Sequence, residues 1–368
     1  MRRALPFLLF LTGCSTLQSI PEAWLTTPAA ARIRTITLDE RGQVTQALLP
    51  LRPEPVAVED NRLVRDGKRL TEQFTAIDSF DYDDTWDEVI FSARRDGGFD
   101  IGLAAGDGSK TNWAPADPAD EVQVQWAPRG YKASYVVRGA HGDVVRTLHI
   151  PTSLQHAIDF GPATIYDVAW EPAGDKYAVA FSTLDASDRV EVLRFDGTER
   201  RVAIPAAQKL AADVISFAPG AYALRPFDLQ YGEKLPVVVW LAERFEWSDA
   251  RAALLREGRA AVIVARKVDD ALWKTVRETP WMDASRTWVV NVARASAREP
   301  ERRAEAREPE RRAEARPTWI APDASVASGR YRQDGDVIAV APAAIQSFAA
   351  GFIADQLKRN RHTNGSSR

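Results

Sequence analysis

Two patterns of apolar and polar residues divide the chain. From about Ala30 to Ala218 it runs as short β-rich segments broken by Gly, Pro and Asp. In one of them Tyr177, Val179 and Phe181 alternate with Ala178 and Ala180, as a strand would require. The preceding Trp170-Glu-Pro-Ala-Gly-Asp-Lys ends one strand on an aromatic and supplies a turn, and Asp107-Gly108 and Asp196-Gly197 mark hairpin tips. After Asp228 the alternation gives way to continuous apolar runs. KLPVVVWLA and AAVIVAR suit strands buried on both faces. Between them Ser248 can cap a helix whose apolar face carries Trp247, Ala250, Ala253 and Leu254 and whose end is marked by Gly258. Further strands are expected at RTWVVNVA and DGDVIAVA. A closing helix has Pro342 in its first turn and Ile345, Phe348, Ala349, Phe352 and Ile353 on one face. The strand-helix-strand order predicts an α/β domain with a mainly parallel sheet over residues 228–358, followed by a polar tail, 359–368.

The first part also repeats. FDYDDTWDEVIFSARRDGGFDI from Phe80, WAPRGYKASYVVRGAHGDVVRTLHI from Trp126 and WEPAGDKYAVAFSTLDASDRVEVLRF from Trp170 begin 46 and 44 residues apart. A weaker start, FAPG at Phe217, follows 47 residues later, and RIRTITLDERGQVTQALLP offers an earlier unit. A period near 45 is the length of a β-propeller blade. These segments resemble the propeller repeats of TolB and of the prolyl oligopeptidase family, with FSARRDGGFDI, from Phe91 to Ile101, the nearest match. The resemblance implies a β-propeller over residues 30–218, of four to five blades or incomplete, since fewer units are found than those families carry.

At the amino terminus Arg2 and Arg3 precede an apolar run from Ala4 to Leu11. That run falls well short of the ~20 residues needed to span a bilayer and reads as a secretion signal. Leu11-Thr12-Gly13-Cys14 follows, and Cys14 is the sole cysteine of the 368 residues. The motif resembles the lipobox of bacterial lipoproteins. It implies cleavage of residues 1–13 between Gly13 and Cys14, lipidation of Cys14, and a tether over residues 14–29. Several acyl chains on one residue exceed the two-signal requirement for stable membrane attachment. Ser15, where an aspartate would favour retention in the inner membrane, implies the outer membrane with a periplasm-facing body.

Composition adds limits. Apolar residues make up 45% and charged residues 27%, the balance of a folded domain. The formal net charge of −3 becomes −5 when cleavage removes the two arginines, which argues against nucleic acid as a partner. The expected partners are the membrane, through the lipid, and a protein of the cell envelope.

A propeller followed by an α/β domain resembles the prolyl oligopeptidase-type peptidases, and GEKLPVVVWLAERFEWSDARAALLREGRAAVIVAR looks like the early strands and first helix of their hydrolase domain. That mechanism needs a serine at a G-x-S-x-G elbow and a histidine to take its proton. WVVN from Trp288 runs instead into Val292-Ala293-Arg294-Ala295, and the expected His-Gly of the oxyanion loop is Ala242-Glu243. The four histidines, His141, His149, His156 and His362, lie in the propeller part or the tail. No catalytic residue and no cofactor is therefore assigned.

Remaining chemistry is weaker. The acidic run Asp78, Asp81, Asp83, Asp84, Asp87, Glu88 lacks the spacing of a calcium loop. His141, His149 and His156 lack metal-ligand spacing, so no metal site is assigned. Asp269, Asp270, Asp334 and Asp336 stand at loop positions where α/β sites lie, but also where turns demand Asp. REPERRAEA occurs twice in tandem over residues 298–315, each copy with three arginines and three glutamates, and reads as a tolerated insert. The sequence thus favours a membrane-anchored binding or scaffolding lipoprotein with an inactive hydrolase-like domain. The alternative is a peptidase or other hydrolase with an unorthodox site.

Overall fold

The computed structural model describes residues 55–171 and 173–291 and, outside them, five strands and Ile353. The chain divides between Gln208 and Lys209 into two units. In the first, β1 (Thr35–Leu38) and β2 (Val44–Leu48) form a hairpin, and β3 (Val56–Glu59), β4 (Arg62–Arg65) and β5 (Lys68–Arg69) a small sheet. Three four-stranded antiparallel meanders follow in sequence. They are β6 (Ile77–Asp83), β7 (Glu88–Arg95), β8 (Gly98–Ala105) and β9 (Thr111–Trp113); β10 (Asp120–Trp126), β11 (Lys132–Gly139), β12 (Gly142–His149) and β13 (Leu154–Asp159); and β14 (Ala163–Trp170), β15 (Lys176–Thr183), β16 (Arg189–Arg194) and β17 (Arg201–Ile204). The hairpin β1–β2 does not make a blade of its own: β1 pairs in parallel with β14, at Thr35 and Trp170.

The repeat of the sequence is visible as hydrogen bonds between first strands. Asp78 Oδ2 accepts from the Gln123 amide (2.9 Å), Ser79 Oγ from the Val124 amide (3.0 Å) and Asp81 Oδ2 from the Trp126 amide (2.8 Å). Each pair is 45 residues apart, so equivalent residues of β6 and β10 meet directly. Each of β6, β10 and β14 also carries a register shift near its start, between Ile77 and Ser79, Val122 and Gln125, and Ile165 and Asp167. The bulge leaves an amide without a ladder partner, and a side chain from the neighbouring meander accepts it. Asp81 is buried, so Asp81→Ala leaves the Trp126 N–H without this acceptor and costs about 1–3 kcal/mol. The urea midpoint should fall at unchanged m; an unchanged midpoint would mean that the amide finds another acceptor.

The alternation read in β15 is present, but both faces are covered: Tyr177, Ala178, Val179, Ala180 and Phe181 are all 0% exposed. The larger three pack with Ile165, Val168, Trp170 and Leu193. The turns follow the Asp-Gly signals, with Gly108 at φ 69° and Gly197 at φ 81°. Gly174, at φ 71°, is also required by a close approach, because a Cβ there would lie 2.5 Å from the Arg129 carbonyl oxygen in the equivalent turn of the preceding meander.

The second unit holds one eight-stranded sheet built from β18 (Ala212–Ala218), β19 (Ala221–Pro226), β20 (Leu235–Leu241), β21 (Ala261–Ala265), β22 (Met282–Asn291), β23 (Thr318–Pro322), β24 (Tyr331–Asp334) and β25 (Val337–Val340). Their order is β18-β19-β21-β20-β22-β23-β25-β24, with four parallel pairings from β21 to β25 and antiparallel ones at both ends. FAPG at Phe217 is thus not the start of a fourth repeat. It turns β18 into β19, and Ala221 and Ala223 pack with Val237, Val239 and Ile263, so the division falls at 208 rather than 218.

Helices α1 (Asp249–Arg256) and α2 (Asp270–Glu278) connect β20 to β21 and β21 to β22. Ser248 caps α1 as read, accepting from the Arg251 amide. The buried face is Arg251, Ala252, Leu254 and Leu255, rotated from the Trp247, Ala250, Ala253 and Leu254 face expected. The shift has a physical cause: Arg251 donates to the Glu246 carbonyl, and its guanidinium lies over the Trp240 ring at 5.9 Å, so an arginine can occupy a core position. Of the closing helix, Ile353 alone is described, helical and 0% exposed.

Candidate functional site

Gly13 and Cys14 lie outside the described residues, as do the elbow region 292–295, the tandem insert 298–315, Asp336 and His362. The acidic run is described, and its carboxylates have structural work. Asp78 and Asp81 join β6 to β10, and Asp83 Oδ1 accepts from the Thr85 (2.8 Å) and Trp86 (3.1 Å) amides. Asp87 pairs with Arg65 and accepts from the Tyr82 hydroxyl at 2.8 Å; these two bonds, Tyr82 first, hold its pKa below the ordinary carboxylate value. The histidines are used singly: His149 Nδ1 is 2.7 Å from Thr152 Oγ1, and His156 meets Phe195 edge-on at 5.3 Å. Among the described residues, no group of three or more His, Cys, Asp or Glu is placed to hold a metal ion.

The same hairpin presents a surface the sequence reading missed. Trp86, 49% exposed in the β6–β7 turn, stacks on Tyr131 of the β10–β11 turn with ring centroids 4.3 Å apart. Tyr131 stacks in turn on buried Trp126 at 5.5 Å, and its hydroxyl donates to the Glu88 carboxylate. Burial, then that bond to Glu88, raises the pKa of the phenol, which stays a donor. An indole held this way presents its outer face at little entropic cost to a flat apolar or cationic group. It can bind but has no group that transfers a proton or attacks a bond. The sequence signal was an aromatic inside the acidic turn DDTWD, where burial by neighbouring blades cannot explain it.

A second polar constellation is internal. Glu121 on β10 is 1% exposed; its Oε2 accepts from the Ile101 amide (3.2 Å) and its Oε1 from Arg146 Nη1 (3.4 Å). Arg146 also pairs with Asp117 at 2.8 Å, and buried Asp100 on β8 carries a raised pKa caused by its own burial. Burial pushes the Glu121 carboxyl up to about 7, against the pull of the Ile101 amide and Arg146.

In the second unit the parallel strands stand in the spatial order second, first, third, fourth, fifth, so the winding reverses between β20 and β22. In open α/β sheets the crevice beyond the carboxyl ends at this reversal is where ligands and reactive groups sit. Here β20 ends at Leu241 and leads into Ala242, whose amide donates to the Ala265 carbonyl (3.0 Å). The loop continues to Phe245, buried against Tyr222 edge-on at 5.1 Å. After β21, Asp269 caps α2 by accepting from the Leu272 amide (3.0 Å) and pairs with Lys267 (3.0 Å); both, the amide first, lower its pKa. A carboxylate held ionised in that way is a poor general acid. Asp270 is exposed in the first turn of α2, and Asp334 ends β24, pairing with Val337 across the hairpin.

No protein-family model matches the chain, and no curated protein matches its sequence. Solved structures similar to it include a dipeptidyl peptidase 4 of Porphyromonas gingivalis (14% identity, TM-score 0.45, covering 63% of this chain and 42% of that one). Others are an acylaminoacyl peptidase of Pyrococcus horikoshii (12%, 0.45, 70% and 51%) and a prolyl endopeptidase (13%, 0.46, 66% and 42%). The chain spans about half or less of the length of each.

Proposed function

We propose that this chain is a non-catalytic binding protein of the bacterial cell envelope, held at the outer membrane by a lipid on Cys14 and facing the periplasm. In this reading the first unit is a propeller-like body that recognises an envelope protein, and the second is a hydrolase-like α/β domain without a working triad. The observation that carries it is at the strand reversal of the second unit. The residues beyond β20 and β21 are engaged in a backbone bond, an aromatic contact and a helix cap, and the sequence after β22 continues Val292-Ala293-Arg294-Ala295-Ser296-Ala297, without the glycines of a G-x-S-x-G elbow. Support for binding comes from Trp86, held half-exposed on Tyr131.

The test has three readouts on the full chain. Cys14→Ser should move the protein out of the membrane fraction and abolish acyl labelling; unchanged fractionation would sink the anchor. The mature protein should not react with a fluorophosphonate probe, whereas stoichiometric labelling at a serine would favour the peptidase-like alternative. A photo-cross-linker at position 86 should capture one defined envelope protein in intact cells. The same group at Tyr231, a fully exposed position of the second unit, should not. Equal capture at both positions would remove the binding role given to Trp86.

A further inference from the structure

At the amino end of β20 lies a cavity of about 170 Å³ lined by three cationic residues, Lys234, Arg259 and Arg286, with Glu233, Gly258 and the apolar Leu235 and Pro236 completing the wall. Water occupies about 30 Å³ per molecule in the liquid, so the space suits a small polyatomic ion rather than a drug-sized ligand. Its polarity narrows the class further. The wall itself holds three cationic residues against one carboxylate, Glu233, which is bonded to Arg259 Nη2 at 3.1 and 3.2 Å, so hydrogen-bond donors outnumber acceptors in the lining even though Asp228 and Asp283 outside it pair with the two guanidinium groups.

Both guanidinium groups are fixed by carboxylates and by a carbonyl. Arg259 Nη1 donates to Asp228 Oδ2 (2.7 Å), Arg286 Nε donates to Asp283 Oδ2 (2.6 Å), and Arg286 Nη2 reaches the Lys234 carbonyl (3.5 Å). A guanidinium has five N–H donors in a rigid fork, and these bonds use only some of them. Neither the Nε of Arg259 nor the Nη1 of Arg286 takes part in them. The bonds to Asp228, first, and to Glu233 also raise the pKa of Arg259, so its charge is permanent. Lys234 is exposed, with no ion pair among the described residues, and supplies a mobile third charge. The backbone agrees: Arg259 sits at φ 48°, in the left-handed region that side chains other than Asn and Asp rarely occupy, directly after Gly258. Such a conformation persists where the surroundings over-determine it, and here two carboxylates hold the side chain that it directs to the cavity wall.

We propose that this cavity binds a phosphate-type oxyanion, with Lys234 Nζ and the unused N–H groups of Arg259 and Arg286 as donors. Free phosphate and a phospholipid headgroup share that chemistry. Two guanidinium forks held in place and one exposed ammonium can each offer a charge-assisted bond to an oxygen of a tetrahedral anion.

The test uses the full mature chain carrying Cys14→Ser, so that no anchor contributes to vesicle binding. Titration calorimetry with inorganic phosphate should show one site with Kd on the order of 1 mM, weakening as salt rises. Arg259→Gly, which also relieves the backbone, should weaken binding at least about tenfold, and Lys234→Gln by a smaller factor. Vesicles of phosphatidylglycerol against phosphatidylcholine distinguish the sources. Retention on the anionic vesicles alone, competed by phosphate and lost in both variants, identifies a headgroup; phosphate binding without retention identifies a free anion. Absence of saturable phosphate binding, or binding that neither Arg259→Gly nor Lys234→Gln alters while both variants keep the wild-type circular dichroism, would overturn the proposal.

Discussion

At pH 8 the Glu121→Gln variant should unfold at a higher urea concentration than the wild-type chain, and the two midpoints should converge as the pH falls toward 4.5. The carboxyl of Glu121 is 1% exposed, and burial raises its pKa to about 7 in the folded chain, whereas the unfolded chain titrates near the ordinary 4.5. Between those two values the folded state holds a proton that the unfolded state has released, so stability falls as pH rises through the window and levels off above it. The ionised carboxylate gains from Arg146 Nη1 at 3.4 Å, but that guanidinium is shared with Asp117 at 2.8 Å, and Asp100 opposes the second negative charge. Desolvation therefore wins. Each pKa unit corresponds to about 1.4 kcal/mol, which puts the loss across the window at roughly 3–4 kcal/mol. Glutamine keeps an oxygen for the Ile101 amide and cannot ionise, so its stability should be flat over the same range. An equal slope in both proteins would place the titrating group elsewhere.

How much of this was legible in the sequence depends on whether a feature is local. Strands and turns are: the Asp-Gly tips and the Ser248 cap stand where the residues place them, because each rests on contacts a few positions apart. The 45-residue period was also readable, and the bonds from Asp78 and Asp81 to Gln123 and Trp126 show what it serves. Of the acidic run that showed no calcium-loop spacing, Asp78 and Asp81 are acceptors for amides of the next meander, a role set by partners 45 residues away that no local spacing reveals. FAPG misled for the same reason. A turn preceded by an aromatic is common to both units, and only the pairing of β19 with β21 assigns it to the second sheet. The DDTWD turn marked Trp86 as an aromatic out of place, but its stacking partner Tyr131 and the Glu121 site were illegible because both contacts arise between meanders.

Trp170→Ala should be among the most damaging single substitutions in the first unit, and the comparison of Trp170 with Trp126 separates packing from hydrogen bonding. Both end the first strand of a meander and both are buried, at 0% and 1% exposure. Trp170 packs on Tyr177 with centroids 5.0 Å apart and donates from Nε1 to Ser134 Oγ at 2.9 Å, whereas Trp126 stacks on Tyr131 and its buried Nε1 has no hydrogen-bond partner among the described residues. Truncation to alanine removes an indole from a closed core and costs about 3–5 kcal/mol at Trp170. Phenylalanine divides the two sites. At Trp126 it removes an unpaired donor along with some volume, and the two effects oppose. At Trp170 it strands the Ser134 hydroxyl, itself 0% exposed, and adds about 1–3 kcal/mol to the loss of volume. Trp170→Phe should therefore be clearly more destabilising than Trp126→Phe. Adding Ser134→Ala should recover part of the Trp170→Phe loss, because the double variant leaves no unpaired hydroxyl. Equal costs at the two positions, or strict additivity with Ser134→Ala, would mean that the Trp170–Ser134 bond contributes nothing and that both tryptophans act by volume alone.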